Sequence, residues 1–194
     1  MNNFVRAVVL CCCVVFAVAQ LPGFGGCPSA VPQATLNITR YLGDWYEIYR
    51  FPAFFERGQK CVTAHYRLKD NGHIHVLNSG YKNGEYISAI GDVYRPDENE
   101  QGKLLVRFGE GTPYGDYWVM DTDYENYTLI FSCGAVLGPV AHVESAWILS
   151  RWPQLDQETV DRLFGILKNA GVNTDVFYKV DQSNCPGMTT PTSQ

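Results

Sequence analysis

The sequence predicts an all-β domain, a barrel or a sandwich, with one helix near its C-terminal end. Three observations predict it. Between about residue 43 and residue 151, short β-type runs follow one another with no helical spacing between them. Asn71-Gly72 and Asn83-Gly84 separate alternating runs, and Asn-Gly is the strongest short hairpin signal. After about 150 the apolar spacing changes to the i, i+3, i+4, i+7 pattern of a helix.

Taken in order, the first stretch stands apart from the fold. Arg6 precedes the apolar run Ala7 to Phe16, and Ala17-Val18-Ala19 fits the small-x-small cleavage rule. Residues 1–19 therefore read as a signal peptide that is removed, with Gln20 as the mature N-terminus and 20–194 as one domain. The run is too short for a membrane span, and the polar C-terminal tail carries no lipid-anchor signal.

The strand series begins with DWYEIYRF and continues with CVTAHYRL, HIHVLNSGY, YISAIGDVY, KLLVRFG, DYWVMDT, YTLIFSC and SAWILSR. These eight runs have connections short enough for neighbours to pair antiparallel. Eight antiparallel strands can close on themselves, and closure removes exposed edges. A barrel of that size is just wide enough for side chains or one small ligand. Val62, Ala64, Tyr66 and Leu68 share one face, as do Val143, Ser145, Trp147 and Leu149. Small residues mixed with large aromatics fit a cavity wall better than a uniformly filled core. Asp156 then caps a helix whose apolar positions are Val160, Leu163, Phe164 and Leu167; Lys168 sits in its last turn and Gly171 closes it. One apolar stripe has to lie against something, most simply the outer wall of the sheet. VFYKV reads as a short final strand.

Charge and cysteines bound the function. Loss of the leader takes Arg6 with it and moves the formal charge from −5 to −6. No basic run is present, which argues against nucleic acid and against attraction to anionic lipid. Of seven cysteines, Cys11, Cys12 and Cys13 leave with the leader, so Cys27, Cys61, Cys133 and Cys185 remain. Four cysteines in a secreted chain imply two disulfides, with three pairings open. Asn37-Ile-Thr39 and Asn126-Tyr-Thr128 are glycosylation acceptors, consistent with an extracellular chain. Of His65, His73, His75 and His142, His73 and His75 alternate on one strand and can share a face, but two ligands at a hairpin are too few, no free cysteine completes a site, and no metal or cofactor is expected. No Gly-x-Ser-x-Gly, His-Glu-x-x-His or phosphate-loop pattern occurs, so no enzyme activity is expected.

Three short motifs carry a resemblance. Gly43-Asp44-Trp45 opens the first strand, Thr122-Asp123-Tyr124 follows the sixth, and Arg151 follows the eighth. In this order and spacing they resemble the lipocalin family, whose fold is an eight-stranded antiparallel up-and-down barrel with one C-terminal helix outside. In that family the three motifs meet at the closed end, where the arginine covers the tryptophan. A guanidinium over an indole makes a cation–π contact while its fork bonds nearby carbonyls, so these residues imply a barrel-closing plug. WYEI, VLN at 76–78, TDYENY, AWILSR and the final Asn-Cys-Pro look like the branch of apolipoprotein D and the insect Lazarillo-type lipocalins. That resemblance implies the pairs Cys27–Cys133 and Cys61–Cys185.

The same resemblance implies a secreted carrier of a small hydrophobic ligand such as a fatty acid, sterol or retinoid, with a protective role in lipid metabolism or oxidative stress. It implies that Tyr66, Asn78, Tyr117 and Trp147 are ligand-binding. Phe51, Phe54 and Phe55 fall in the loop after the first strand and are expected at the open mouth, either touching a membrane or lipid particle or folding inward as a lid. Within the family the alternative is a bilin (tetrapyrrole) carrier; beyond it, a lipid- or receptor-interacting protein with an incidental cavity. Lipocalin isomerases use a cavity cysteine, and here every mature cysteine matches a disulfide position. The loop GEGTPYGD has no methionine where the branch places one associated with lipid-peroxide reduction, so protection is expected through sequestration.

Overall fold

The computed structural model describes residues 21–136 and 138–186; the predicted leader, Gln20 and the polar tail lie outside the described residues. In chain order the elements are β1 (Leu21–Phe24), α1 (Ile38–Tyr41), β2 (Gly43–Arg50), β3 (Lys60–Leu68), β4 (Ile74–Lys82), β5 (Glu85–Tyr94), β6 (Lys103–Phe108), β7 (Gly115–Thr122), β8 (Tyr127–Ala135), β9 (Ala141–Ser150), α2 (Gln157–Asn169) and β10 (Tyr178–Lys179). Strands β2 to β9 pair antiparallel in sequence order, and β9 pairs back onto β2, which closes the barrel. These eight strands are the eight runs read from the sequence. The β4–β5 hairpin is the tightest: Lys82 pairs with Glu85, and Asn83 and Gly84 take φ of 54° and 85°. Two successive positive φ values match the right-handed twist of the flanking strands, and Asn-Gly adopts them readily.

Two elements escape the sequence reading. β1 pairs with β9 through Leu21↔Glu144 to Phe24↔Ala141, beside the stretch of β9 that β2 does not reach. α1 is a single turn capped by Asn37, whose side chain accepts from the Arg40 amide at 3.1 Å.

Helix α2 is capped as expected: Asp156 accepts from the Thr159 amide at 2.7 Å, and Gly171 follows with φ of 88°. Its buried residues Val160, Leu163 and Leu167 face outward-pointing side chains of the wall, with Leu163 and Leu167 sharing one cluster with Leu129, Phe131, Ala146 and Ile148. The other cluster lies inside the barrel around Trp45, Tyr66, Val76 and Leu149. Residues 128 to 131 are buried without interruption, because β8 packs inward on one face and against α2 on the other. Phe51 belongs to the α2 cluster as well. It is 2% exposed and packs edge-on against Phe177 at 4.5 Å between ring centres, so the expectation that it lies at the mouth is corrected. Its side chain turns toward the helix because the segment after α2 offers an aromatic surface there. Leu68, the last residue of β3, is exposed, although it pairs with Ile74 of the interior cluster.

Disulfides join Cys27 to Cys133 and Cys61 to Cys185. The first fixes the segment after β1 to β8, and the second fixes the end of the described chain to β3. On the outer wall, Asp92 bonds Lys69 at 2.7 Å, His73 at 2.7 Å and the Tyr114 hydroxyl at 2.6 Å. Burial opposes its ionisation, but these hydrogen bonds outweigh it and hold the carboxyl well below the usual range. A carboxyl whose folded pKa is depressed stabilises the fold above its unfolded value of about 4 and loses that contribution as pH falls. Asp92→Asn is accordingly expected to lower stability by about 1–2 kcal/mol at neutral pH. Its urea midpoint should converge with that of the parent protein in acid; a gap that persists unchanged at low pH would contradict this role.

Candidate functional site

The closed end is built by the three motifs. Trp45 is fully buried, and its indole N–H donates to the Tyr41 carbonyl at 2.9 Å. The Arg151 guanidinium lies 3.7 Å from the indole ring centre. Its nitrogens donate to the carbonyls of Arg40 (2.9 Å), Leu42 (2.9 Å), Asp44 (2.7 Å) and Tyr124 (3.0 Å). Gly43 has φ of 95°, and a Cβ there would sit 3.4 Å from the same guanidinium, which is why glycine suits the position. Asp123 accepts from the amides of Glu125, Asn126 and Tyr127 and fixes the β7–β8 turn. Thr122 Oγ1 donates to the Tyr127 carbonyl at 2.6 Å and accepts from the Tyr124 amide.

Above this plug lies a cavity of about 640 Å³. Val62, Ala64, Val76, Val93, Ile130 and Leu149 supply much of its apolar wall. Tyr66, Asn78, Tyr117 and Trp147, the four residues expected at a ligand site, all line it. At its deep end Tyr66 and Tyr117 are 2.9 Å apart through their hydroxyls, Tyr117 is 2.8 Å from the Tyr41 hydroxyl, and Thr128 lies 3.3 Å from Tyr41. Four hydroxyls joined by three contacts hold at least one O–H proton that these contacts leave over among the described residues. Burial pushes the Tyr41 hydroxyl up to about 12 and raises Tyr66 and Tyr117 well above the ordinary value. The deep end is thus polar and uncharged. Asn78 Oδ1 is buried, with no hydrogen-bond partner among the described residues. It lies in the middle of β4.

The sequence reading missed a charged group in the same wall. Glu47 on β2 and Glu56 in the short 3-10 turn Phe54–Glu56 both line the cavity and are 4% and 5% exposed. Between them Arg50 is completely buried. It bonds Glu47 Oε1 at 2.6 Å, reaches Glu56 Oε2 at 3.6 Å, and donates to the Glu56 carbonyl and the Tyr178 hydroxyl. Residues three apart in a regular strand face opposite ways. Here the pairing of β2 with β9 shifts register between Glu47 and Tyr49, and this irregularity brings Glu47 and Arg50 together. Burial, and for Glu47 the neighbouring Glu56, raises both carboxyls above their ordinary range despite Arg50. One signal was available in the sequence: in a strand, Glu47 shares the inward face of Trp45.

Phe54 and Phe55 are exposed at the open end, at 76% and 53%, and Phe55 also lines the cavity. Phe108 and Val136, at the open ends of β6 and β8, are exposed too. Asn37 and Asn126 are both exposed at the closed end. Cys133, His142 and Glu144 approach one another, yet Cys133 is bonded to Cys27, so no thiolate is available to a metal. His142 is occupied by the Gly25 carbonyl at 2.9 Å and Glu144 at 2.9 Å.

Comparison with known proteins agrees with this geometry. Residues 36–182 match the family model described as a lipocalin-like domain. Apolipoprotein D of Mus musculus is 40% identical over 163 residues, covering 84% of this chain and 85% of that protein. Lazarillo protein of Schistocerca americana is 33% identical over 162 residues, covering 81% of this chain and 75% of that one. Among solved structures, insecticyanin from the tobacco hornworm Manduca sexta superposes with a TM-score of 0.74 at 30% identity, over 85% of this chain and 90% of that one.

Proposed function

The chain belongs to the lipocalin family, and from that premise we propose that it is a secreted carrier of one small lipid, such as a fatty acid, sterol or retinoid. The observation that carries the proposal is the closed barrel around a cavity of about 640 Å³, apolar along its wall with a few polar groups at fixed positions. Burial of apolar ligand surface at about 25 cal/mol per Å² supplies affinity without chemistry. Tyr66, Asn78, Tyr117 and Trp147 are the proposed contacts. The spare hydroxyl proton at the deep end gives the cargo's polar end something to bind. The name of the relative apolipoprotein D supports a lipid cargo, and the two disulfides support an extracellular setting. Asn37 and Asn126 are the proposed glycan acceptors, and their place at the closed end leaves the mouth clear.

The test is the absorption spectrum of protein purified from its native fluid, followed by mass analysis of its organic extract. A colourless protein yielding one lipid class is the expected result. A tetrapyrrole with a strong visible band is the second reading, favoured by the aromatic lining and by the fold shared with insecticyanin. An empty extract would sink both and move weight to an interaction protein with an incidental cavity.

The exposed phenylalanines support a second part of the proposal, that Phe54 and Phe55 touch a membrane or lipid particle while cargo passes. Phe54→Ser/Phe55→Ser should weaken binding to zwitterionic lipid vesicles by about tenfold while leaving the melting temperature unchanged. Equal vesicle binding in a sedimentation assay would overturn the contact.

A further inference from the structure

Within the proposed cavity the buried charge is unbalanced. Glu47 and Glu56 come from opposite sides of the loop that leaves β2, and one guanidinium, Arg50, serves both. Glu56 Oε2 receives in addition only a long contact from the Trp147 indole N–H at 3.4 Å. Among the described residues, Glu47 Oε2 and Glu56 Oε1 accept no hydrogen bond from a protein donor. Both residues are more than nine-tenths buried and both line the cavity. Ionised together against one guanidinium, they leave a net negative charge on the wall; sharing a proton, they leave a neutral wall with unused acceptors. In the first state like charges in a site with little water repel another carboxylate by several kcal/mol; in the second the unused lone pairs still call for a donor.

We propose that Glu47 and Glu56 select cargo by its head group: the cavity takes an amphiphile whose polar end donates hydrogen bonds, a hydroxyl or a primary ammonium, and turns away a carboxylate. The inference rests on the carrier reading above and narrows its substrate class. The donor reaches the oxygens that protein donors leave free, and the tail lies along Val62, Ala64 and Val76. The other charged groups lining the cavity are Arg107 and Asp116. Arg107 is half-buried, and its guanidinium lies over the Tyr114 ring at 4.7 Å.

The experiment displaces the fluorescent probe 1-aminoanthracene with dodecanol, dodecylamine and dodecanoate, which share one tail. At neutral pH the alcohol and the amine should displace it at concentrations about tenfold or more below dodecanoate. Glu56→Gln, which keeps Arg50 paired with Glu47, should bring the three to within about threefold of one another. Glu47→Gln is the independent second variant, and Arg107→Gln should leave the order unchanged. Dodecanoate binding as tightly as the others in the unsubstituted protein, or a donor preference that survives both glutamine variants, would overturn the selector while leaving the carrier intact. Failure of the probe itself to bind saturably would sink the carrier reading and the selector with it.

Discussion

Replacing Arg50 with Met is expected to destabilise the protein by about 3–5 kcal/mol at neutral pH, because it leaves two buried carboxyls with no counter-charge. Arg50 is fully buried and bonds both glutamates, the Glu56 backbone and Tyr178 on β10. Methionine fills similar volume, so the loss is one of charge and hydrogen bonding rather than of packing. The pH dependence separates these causes. Burial already raises both carboxyls, and without Arg50 they rise further. A carboxyl raised in the folded state favours the fold below its unfolded pKa of about 4.3 and loses that contribution as pH increases. The deficit of Arg50→Met should therefore shrink toward acid. Urea titrations at neutral and acid pH decide it; an equal deficit at both would assign the effect to packing.

Trp45→Ala should cost about 3–5 kcal/mol as well, by a different route. Trp45 is fully buried, sits 5.4 Å from Tyr41 between ring centres, and carries Arg151 on its outer face. Truncation opens a void under the cavity floor and removes the indole face from a guanidinium that also bonds backbone carbonyls of α1, β2 and the β7–β8 turn. Arg151→Lys keeps the charge but loses the fork. It should be destabilised by a smaller amount, about 1–2 kcal/mol. If Trp45→Ala melts with the unsubstituted protein, the closed end is not the structural plug described here.

Much of the fold was legible because its signals are local. Asn83-Gly84 dictates its own hairpin, Asp156 its own cap, and Gly43 the backbone turn that Arg151 covers. What was missed depends on distant partners. β1 reads as a loop because Leu21-Pro22-Gly23-Phe24 has no strand-like composition, and only β9, some 120 residues later, makes it a strand. Phe51 was assigned with Phe54 and Phe55 by adjacency, yet Phe177 and helix α2 draw it inward. β8 lost its alternation because α2 buries its outer face. In the site, the four expected lining residues share one cavity, whereas the Glu47–Arg50 pair depends on a register shift between β2 and β9 that strand periodicity does not encode.

A saturation titration with 1-aminoanthracene, run on the unsubstituted protein and on Val106→Trp, is the most direct test of the carrier. Val106 is half-buried on the cavity wall, away from Arg151 and the plug, so tryptophan there fills the space without touching the closed end. One saturable site per chain, weakened about tenfold or more in Val106→Trp at an unchanged melting temperature, is the predicted result. No saturable binding, or equal binding in the filled variant, would mean that the barrel interior is not where this protein holds a ligand.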